Sequence, residues 1–229
     1  MLFTFKSITL SHPDSEKFGL SELTIGLTII ALGTSAPEIF VGISSVFNGT
    51  EALAMGTVIG SNISNIALIF GVSCIGVSMR PAKTNLVQFI PFAIAAIILG
   101  LVLLDLKITV IEGWVLLIIF ALFIFITYQY RGSEVDDQIE ESATGTITIL
   151  LYLTVGLLAL IGGSNFAVIH AEKIAYILNV PQLIIGLTII ALGTSLPELA
   201  ATISAIMKNK NDMVIGNVIG SNVMNIALV

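Results

Sequence analysis

Apolar residues run along this chain in seven long stretches that polar residues interrupt only briefly. Most of these stretches reach the roughly 20 residues that an α-helix needs to cross the hydrocarbon layer of a bilayer. They predict seven helices, α1 to α7, over residues 20–47, 53–79, 86–104, 111–129, 147–169, 180–207 and from 213 to the end at Val229. The fold class that follows is an all-α integral membrane protein with about six complete transmembrane helices and a truncated seventh.

Two of the predicted helices carry nearly the same sequence. Residues 23–38 of α1 and 183–198 of α6 differ only at positions 24/184 and 36/196, and each copy ends in a lone glutamate, Glu38 or Glu198. The same offset of 160 residues aligns 56–65 of α2 with 216–225 of α7. Packing alone requires only similar hydrophobicity. The matching glycines, prolines and polar residues therefore predict that the two copies build halves of one site.

The repeats are predicted to have inverted topology. Helix α6 is the fifth helix after α1, and an odd number of crossings reverses the direction through the bilayer. Seven of the nine basic residues fall on the side of the N-terminus, namely Lys6, Lys17, Arg80, Lys83, Arg131, Lys208 and Lys210. The excess of positive charge places that side in the cytoplasm. We therefore expect a multi-pass protein of the cell (inner) membrane, with the N-terminus and the 130–146 loop cytoplasmic.

The predicted organisation has four parts. A polar segment covers 1–19, a first membrane half covers 20–129 with repeat one at 20–79, an acidic loop covers 130–146, and a second membrane half covers 147–229 with repeat two at 180–229. Internal symmetry predicts one further helix before α1, and the rest of α7 plus two more helices after it. A gene fragment and a minimal form of the protein both stay open as explanations.

Composition supports a membrane protein and argues against other classes. Of the 229 residues 56% are hydrophobic and 10% are charged, with a mean hydropathy of +1.04, whereas soluble domains carry about 25% charged residues. The net charge of −6 argues against a nucleic-acid partner, which requires a basic face. One cysteine leaves no disulfide framework or thiolate cluster. The chain has no HExxH or GxSxG motif, so we expect neither an enzyme nor a cofactor.

Glycine and proline predict an irregular helix in each repeat. Pro37 donates no backbone hydrogen bond and its ring crowds the carbonyl of Gly33, so α1 is expected to break or kink over 31–37. Helix α6 is expected to do the same around Pro197. Such a break is tolerated in a membrane where the freed carbonyls line a cavity.

The hydroxyl groups next to each glutamate share its helical face. Thr34 and Ser35 precede Glu38 by four and three residues, which places them on one face of α1. In α6 the matching residues are Ala191, Thr194, Ser195 and Glu198. Carbonyls from Ala31 onward, these hydroxyls and the carboxylate are therefore expected in one neighbourhood.

Helices α2 and α7 are predicted to form the other wall of the site. Glycines four residues apart, at 56/60 and 216/220, form faces that let a neighbouring helix approach closely. One residue further along, Ser61 and Asn65 share a face of α2, as Ser221 and Asn225 do in α7. Asn62 and Asn222 point elsewhere and are expected to hold backbone groups.

The chemistry of this set predicts a cation site. Carboxylates, hydroxyls, amide oxygens and carbonyls, without histidine or thiolate, suit hard cations such as Ca²⁺ and Na⁺. A carboxylate at mid-bilayer costs about 2.5–3.5 kcal/mol on insertion scales, and a bound cation compensates that cost. When no metal is bound, two close carboxylates cannot both stay ionised easily, so protons are expected to compete with the cation.

With these residues assembled, the chain resembles the cation/Ca²⁺ exchanger superfamily, specifically its sodium/calcium exchanger branch. The motifs that carry the resemblance are the Gly-Thr-Ser-Xaa-Pro-Glu runs at 33–38 and 193–198 and the Gly-Ser-Asn runs at 60–62 and 220–222. They look like the two α-repeats of that family. The resemblance implies a ten-helix fold of two inverted five-helix halves joined by a cytoplasmic loop. It also implies antiport, in which Na⁺ entry drives Ca²⁺ out.

The resemblance also implies a role for each candidate ligand. Glu38 and Glu198 look like the central carboxylates shared by Ca²⁺ and Na⁺. The others look like hydroxyl or carbonyl ligands (Thr34, Ser35, Thr194, Ser195), backbone oxygens (Ala31, Ala191), flanking Na⁺ ligands (Ser61, Ser221) and the remaining central pair (Asn65, Asn225). Many relatives have aspartate at one of the last two positions. Asparagine at both leaves the ion stoichiometry and the preference between Ca²⁺ and Na⁺ open.

The leading hypothesis is therefore a Na⁺/Ca²⁺ antiporter that works by alternating access, with α1, α2, α6 and α7 holding the ions. A proton- or K⁺-coupled antiporter on the same scaffold is one alternative. A fragment that binds cations without moving them is another. The expected partners are Ca²⁺, Na⁺ and the lipid bilayer, and the oligomeric state stays open.

Overall fold

A computed structural model describes residues 21–76, 86–104, 108–131 and 146–229, and the regular elements within these ranges are all helices. The predicted segment 1–19 and most of the predicted loop 130–146 lie outside the described residues. Helix α1 spans Glu22–Phe47 and α6 spans Gln182–Met207. Helix α2 consists of three consecutive segments, Glu51–Ile63, Ser64–Phe70 and Gly71–Gly76. Helix α3 spans Ile90–Val102 and follows a 3₁₀ turn at Leu86–Phe89. The remaining helices are α4 (Val110–Gln129), α5 (Thr146–Leu178) and α7 (Asn211–Leu228).

Length and hydropathy mark four of these helices as able to cross a membrane. They are α1, α4 and α6, together with residues Glu51–Ile75 of α2. The segment Leu86–Val102 is a shorter apolar helix. Large apolar side chains such as Ile118 and Phe125 on α4 are more than 60% exposed. Such a face suits contact with lipid.

Helix α5 is longer than the hydropathy pattern predicts. The prediction ended it at residue 169, but the helix continues to Leu178. The added residues include Glu172 and Lys173, which lower the hydropathy without interrupting the helix. The chain leaves the helix only at Asn179, whose φ of 52° is left-handed, followed shortly by Pro181. Hydropathy therefore marked the end of the apolar stretch and not the end of the helix.

Of the predicted break or kink over 31–37, a break is absent from α1 and present at the matching place in α6. In α1 the helix runs unbroken from Ala31 to Phe47 with Pro37 inside it. In α6 the helix stops at Thr194, Ser195 adopts φ −79° and ψ 0°, and a new helix begins at Leu196. Both helices also carry a π-helical turn one turn earlier, at Gly26–Ile30 and Gly186–Ile190. These turns supply an irregularity that the sequence reading did not anticipate.

Glycines bring the repeat helices together in two matching pairs. A Cβ atom added at Gly56 or Gly60 of α2 would collide with the backbone carbonyl of Leu183 or Leu187 in α6. At Gly216 and Gly220 of α7 it would collide with the carbonyls of Leu23 and Leu27 in α1. In both pairs the residue numbers rise together, so the two helices of each pair run in the same direction. The prediction that these glycines permit close helix approach is confirmed.

The other helices surround this core. Helix α5 packs against α1, while α3 and α4 pack against α7 and against each other. The apolar cluster between α1, α4 and α7 includes Leu27, Phe123 and Met224, all buried. This packing holds the polar faces of α1, α2, α6 and α7 in the interior, away from the exposed apolar surfaces.

Candidate functional site

Two glutamates from different repeats lie close together in the buried interior, and the space around them is called the pocket below. Glu38 is 0% exposed and Glu198 is 1% exposed, and no other charged side chain among the described residues is buried. The Oγ of Ser195 donates to Oε1 of Glu38 at 3.2 Å, and the Oγ of Ser35 donates to Oε1 of Glu198 at 3.1 Å. Each serine lies three residues before the glutamate of its own repeat but bonds the glutamate of the other. The two carboxylates therefore meet across the interface between the repeats.

Each carboxylate keeps one oxygen without a partner. Oε2 of Glu38 and Oε2 of Glu198 are buried and accept no hydrogen bond from the protein. An unpartnered charged oxygen is costly inside a protein, because burial removes its hydration. A hard cation takes such oxygens as ligands. The donor set therefore fits a hard cation such as Ca²⁺ or Na⁺.

Hydroxyl groups of α2 and α7 lie next to the carboxylates in two different arrangements. The Oγ of Ser61 donates to Oε1 of Glu38 at 3.4 Å. Its counterpart Ser221 instead lies 3.4 Å from the hydroxyl of Thr34. Thr194, the counterpart of Thr34, donates to the carbonyl of Ile190 in its own helix and is partly exposed. Residues of identical type in the two repeats thus have different partners.

The backbone carbonyls expected to be bare are engaged in the described conformation. The carbonyl of Ala191 accepts from the backbone N–H of Ser195 at 3.0 Å and from the hydroxyl of Thr194 at 3.3 Å. The carbonyl of Ala31 accepts from Thr34 at 3.4 Å. Both alanines are 0% exposed, at the level of the pocket. A carbonyl oxygen has two lone pairs, so the two bonds to Ala191 occupy both of its acceptor positions.

The two central asparagines also differ. The Nδ2 of Asn65 donates to Oδ1 of Asn222 at 3.3 Å, while its own Oδ1 has no partner. Neither side-chain atom of Asn225 has a partner. Both residues are 0% exposed. Two buried amides thus retain free oxygen atoms beside the helices that carry the glutamates.

The sequence reading missed Asn217. Its Oδ1 accepts from the hydroxyl of Thr34 at 3.3 Å, and its Nδ2 donates to the carbonyl of Glu198 at 3.4 Å and to the hydroxyl of Thr202 at 3.2 Å. One side chain of α7 therefore ties α1 to α6. The signal was present in the repeats, because position 217 is asparagine where the matching position 57 is threonine.

Most of the predicted ligand set lies together in the interior. Of the twelve candidate residues eleven are buried, namely Ala31, Thr34, Ser35, Glu38, Ser61, Asn65, Ala191, Ser195, Glu198, Ser221 and Asn225, and Thr194 is partly exposed. Direct hydrogen bonds to the two glutamates come from Ser35, Ser61 and Ser195, while Thr34 and Ser221 contact each other. Asn62 bonds the carbonyl of Val58 at 2.7 Å, as expected for a residue that holds backbone. Asn222 holds a side chain instead.

A helical protein with apolar membrane-length spans and two buried carboxylates facing each other belongs to the class of membrane cation transporters. The chain belongs, more particularly, to the sodium/calcium exchanger family. The family model described as "Sodium/calcium exchanger protein" matches residues 10–129 and 148–229. This membership confirms the resemblance drawn from the motifs. It makes the protein an integral membrane cation/Ca²⁺ antiporter by family.

Individual relatives agree with this assignment. The inner membrane protein YrbG of Escherichia coli is 33% identical over 231 residues, which cover 93% of this chain and 69% of YrbG. The sodium/calcium exchanger MaX1 of Methanosarcina acetivorans is 26% identical over 280 residues, covering 94% of this chain and 73% of MaX1. These names, and the family description, are those of membrane proteins and exchangers, which agrees with the expectation of a protein that is not an enzyme.

The fold resembles a solved exchanger. The sodium-calcium exchanger NCX_Mj, soaked with 2.5 mM Na⁺ and 1 mM Sr²⁺, aligns with a TM-score of 0.69 and 32% identity. The alignment covers 99% of this chain and 75% of the solved chain. The fold class, an all-helical membrane protein of exchanger type, is confirmed at this level.

Proposed function

We propose that this protein exchanges Na⁺ for Ca²⁺ across the membrane by alternating access at the pocket between Glu38 and Glu198. The observation that carries the proposal is the pair of crossed bonds, in which Ser195 reaches Glu38 and Ser35 reaches Glu198. These bonds support a common site with one carboxylate from each repeat. A site shared by two moving halves can open to either side while the ion stays between them.

The helix register supports inverted repeats, which alternating access of this kind requires. Helices α1 and α2 are joined by a short turn at residues 48–50 and therefore run in opposite directions. Helix α6 contacts α2 with rising residue numbers in both, from Gly186 beside Leu53 to Ala191 beside Gly60. Since α6 runs parallel to α2, it runs opposite to α1. The two copies of the glutamate motif would then enter the membrane from opposite sides.

The proposed ligands follow from the free oxygens. The unpartnered Oε2 atoms of both glutamates and the free Oδ1 atoms of Asn65 and Asn225 are the first candidates. Three further groups of ligands are proposed from the repeats: the hydroxyls of Thr34, Ser35, Thr194 and Ser195, those of Ser61 and Ser221, and the carbonyls of Ala31 and Ala191. No resident cofactor takes part in this scheme, because Ca²⁺ and Na⁺ are the transported substrates.

A second candidate function is coupling to protons or K⁺ instead of Na⁺. The observation that favours proton coupling is the closeness of the two buried carboxylates, which are linked by the crossed serine bonds. Like charges in one site favour the protonated form of at least one carboxyl group, so a proton can compete with a metal ion there. The coupling ion is therefore the property to measure first.

Flux measurements in vesicles separate these functions. The purified protein is reconstituted into liposomes loaded with Ca²⁺, and Ca²⁺ efflux is recorded under an inward Na⁺, proton or K⁺ gradient. The proposal expects rapid Ca²⁺ efflux with the Na⁺ gradient and slow efflux with the other two. Faster efflux with the proton or K⁺ gradient would replace Na⁺ coupling with the second candidate. Ca²⁺ binding without efflux under any gradient would identify a non-transporting cation binder.

A further inference from the structure

Two asparagines of the Gly-Ser-Asn motifs are not explained by the ligand set. Asn62 and Asn222 are 8% and 0% exposed, and each lies three residues before a central asparagine, Asn65 or Asn225. A buried amide has one donor end and one acceptor end, and both require partners. The partners that these two amides have, and those that they lack, indicate what they do.

Asn222 sets the orientation of Asn65. It accepts a hydrogen bond at 3.3 Å from Nδ2 of Asn65, so the donor end of the Asn65 amide is held. The acceptor end, Oδ1 of Asn65, stays buried and free. Only the oxygen end of an amide binds a hard cation, whereas the NH₂ end repels it. The bond to Asn222, whose own Nδ2 has no partner, favours the orientation of Asn65 that presents the oxygen rather than the NH₂ group.

The matching hydrogen bond between the other two asparagines is not formed. By the offset of 160 residues, Asn65 matches Asn225 and Asn222 matches Asn62, so the bond that matches Asn65–Asn222 would join Asn225 to Asn62. Nδ2 of Asn225 has no partner, and Oδ1 of Asn62 has none either, although both atoms are buried. A donor and an acceptor that could satisfy each other are thus both left without partners. Leaving such buried atoms unpaired is unfavourable, because each loses its bonds to water without a replacement.

The open pair belongs to a wider difference between the halves. Thr34 bonds Asn217 and approaches Ser221 in α7, whereas Thr194 bonds its own helix. The α6 helix is interrupted at Ser195, whereas α1 is continuous at Ser35. In a transporter built from inverted copies, exchanging the conformations of the two copies generates the state that opens to the opposite side. A bond that one repeat makes in the described conformation is then expected at the matching residues of the other repeat in the opposite-facing conformation.

We propose that Asn222 and Asn62 are alternating positioning residues, each orienting the central asparagine of the other repeat in one of the two access states. In the described conformation Asn222 holds Asn65. In the opposite-facing conformation Oδ1 of Asn62 accepts a hydrogen bond from Nδ2 of Asn225. This bond does not require Asn62 to give up the carbonyl of Val58, which is bound through Nδ2. This inference rests on the proposed alternating-access exchange. It adds a function for two residues that contact a ligand side chain rather than the ion.

Transport from each side of the membrane tests the proposal. Asn222→Ala and Asn62→Ala form a matched pair, each removing the same amide at the same place in its repeat. We expect each variant to raise the half-saturating Ca²⁺ concentration about tenfold on one face of the vesicle, and the two variants to act on opposite faces. A merely structural loss would lower transport equally from both faces. Equal effects on both faces, or no effect in either variant, would overturn the proposal.

A cross-linking experiment decides the matter independently of transport. The single cysteine is first replaced (Cys74→Ser), and cysteine pairs are then introduced at 65/222 and at 62/225. The proposal predicts that both pairs form disulfides and that changing from Na⁺ to Ca²⁺ shifts their yields in opposite directions. A 62/225 pair that stays reduced under every ion condition would overturn it. If the wild type shows no Na⁺-driven Ca²⁺ flux, the proposed function fails, and the cross-linking yields still decide whether the two amide pairs alternate.

Discussion

A carboxylate in the interior of a membrane protein is stable only if its oxygens find partners, and Glu38 and Glu198 find theirs on the opposite repeat. Ser195 and Ser35 each satisfy one oxygen of the other copy's glutamate. The second oxygen of each glutamate stays free. At the residue scale, this arrangement leaves one free oxygen in each half, and in the proposed site a bound cation is the partner of both.

Charge at position 225 is expected to control the affinity for divalent ions. Asn225→Asp adds a third carboxylate to a pocket that has two. A unit charge about 4 Å from the ion contributes roughly 4 kcal/mol at an effective dielectric constant of 20, reduced by the cost of burying the new carboxylate. We expect Ca²⁺ to bind about tenfold more tightly or better, as measured by calorimetry on purified protein. An unchanged affinity would show that charge does not limit binding.

Asn217 is expected to contribute more to Ca²⁺ affinity than Thr57, the residue at the matching position of repeat one. Asn217→Thr, the residue found at position 57, removes the donor to the Glu198 carbonyl and the acceptor for Thr34. Buried groups left without partners cost about 1–3 kcal/mol, so Ca²⁺ affinity should fall about tenfold. Thr57→Ala is the control, because Thr57 bonds only the carbonyl of Leu53 in its own helix. Equal losses of Ca²⁺ binding in both variants would contradict this role.

At the scale of the helices, close packing depends on glycines that admit a neighbouring backbone. Gly56 and Gly60 face α6, and Gly216 and Gly220 face α1, with no room for a side chain. By contrast, a Cβ at Gly33 or Gly193 would meet no atom within 4 Å. The first group of glycines therefore sets the distance between helices, whereas Gly33 and Gly193 do not.

A pair of glycine substitutions tests this distinction. Gly56→Ala should lower the melting temperature of the detergent-solubilised protein, because the new methyl group forces α2 and α6 apart at a cost of about 1–3 kcal/mol. Gly33→Ala should leave it unchanged or raise it slightly, since alanine favours helix more than glycine does. Similar melting temperatures for the two variants would show that the α2–α6 contact does not limit stability.

Local sequence predicted the helices and the burial of the two glutamates but not the differences between the two repeats. Hydrophobic stretches located all seven helices, and the repeats located the two glutamates. Proline predicted a break in both copies, yet α1 continues through Pro37 while α6 is interrupted at Ser195. Identical residues cannot encode two different states by local preference. The difference depends on which neighbours each copy contacts, and single-helix reasoning does not include them.

At the scale of the whole molecule, the two repeats form one core in which α1 pairs with α7 and α6 pairs with α2. Each pairing joins helices from different repeats, so neither repeat can build the pocket without the other. The remaining described helices, α3, α4 and α5, pack around this core. Transport by the proposed mechanism is therefore a property of the assembled halves and requires both glutamates.

The most direct test neutralises each glutamate in turn and measures Na⁺-driven Ca²⁺ flux in liposomes. Glu38→Gln and Glu198→Gln preserve the size of the side chain, and Glu51→Gln, at an exposed position of α2, is the matched control. With equal amounts of inserted protein, flux should be abolished in both pocket variants and retained in the control. Substantial Ca²⁺ flux after neutralising either Glu38 or Glu198 would contradict a shared ion site between the repeats.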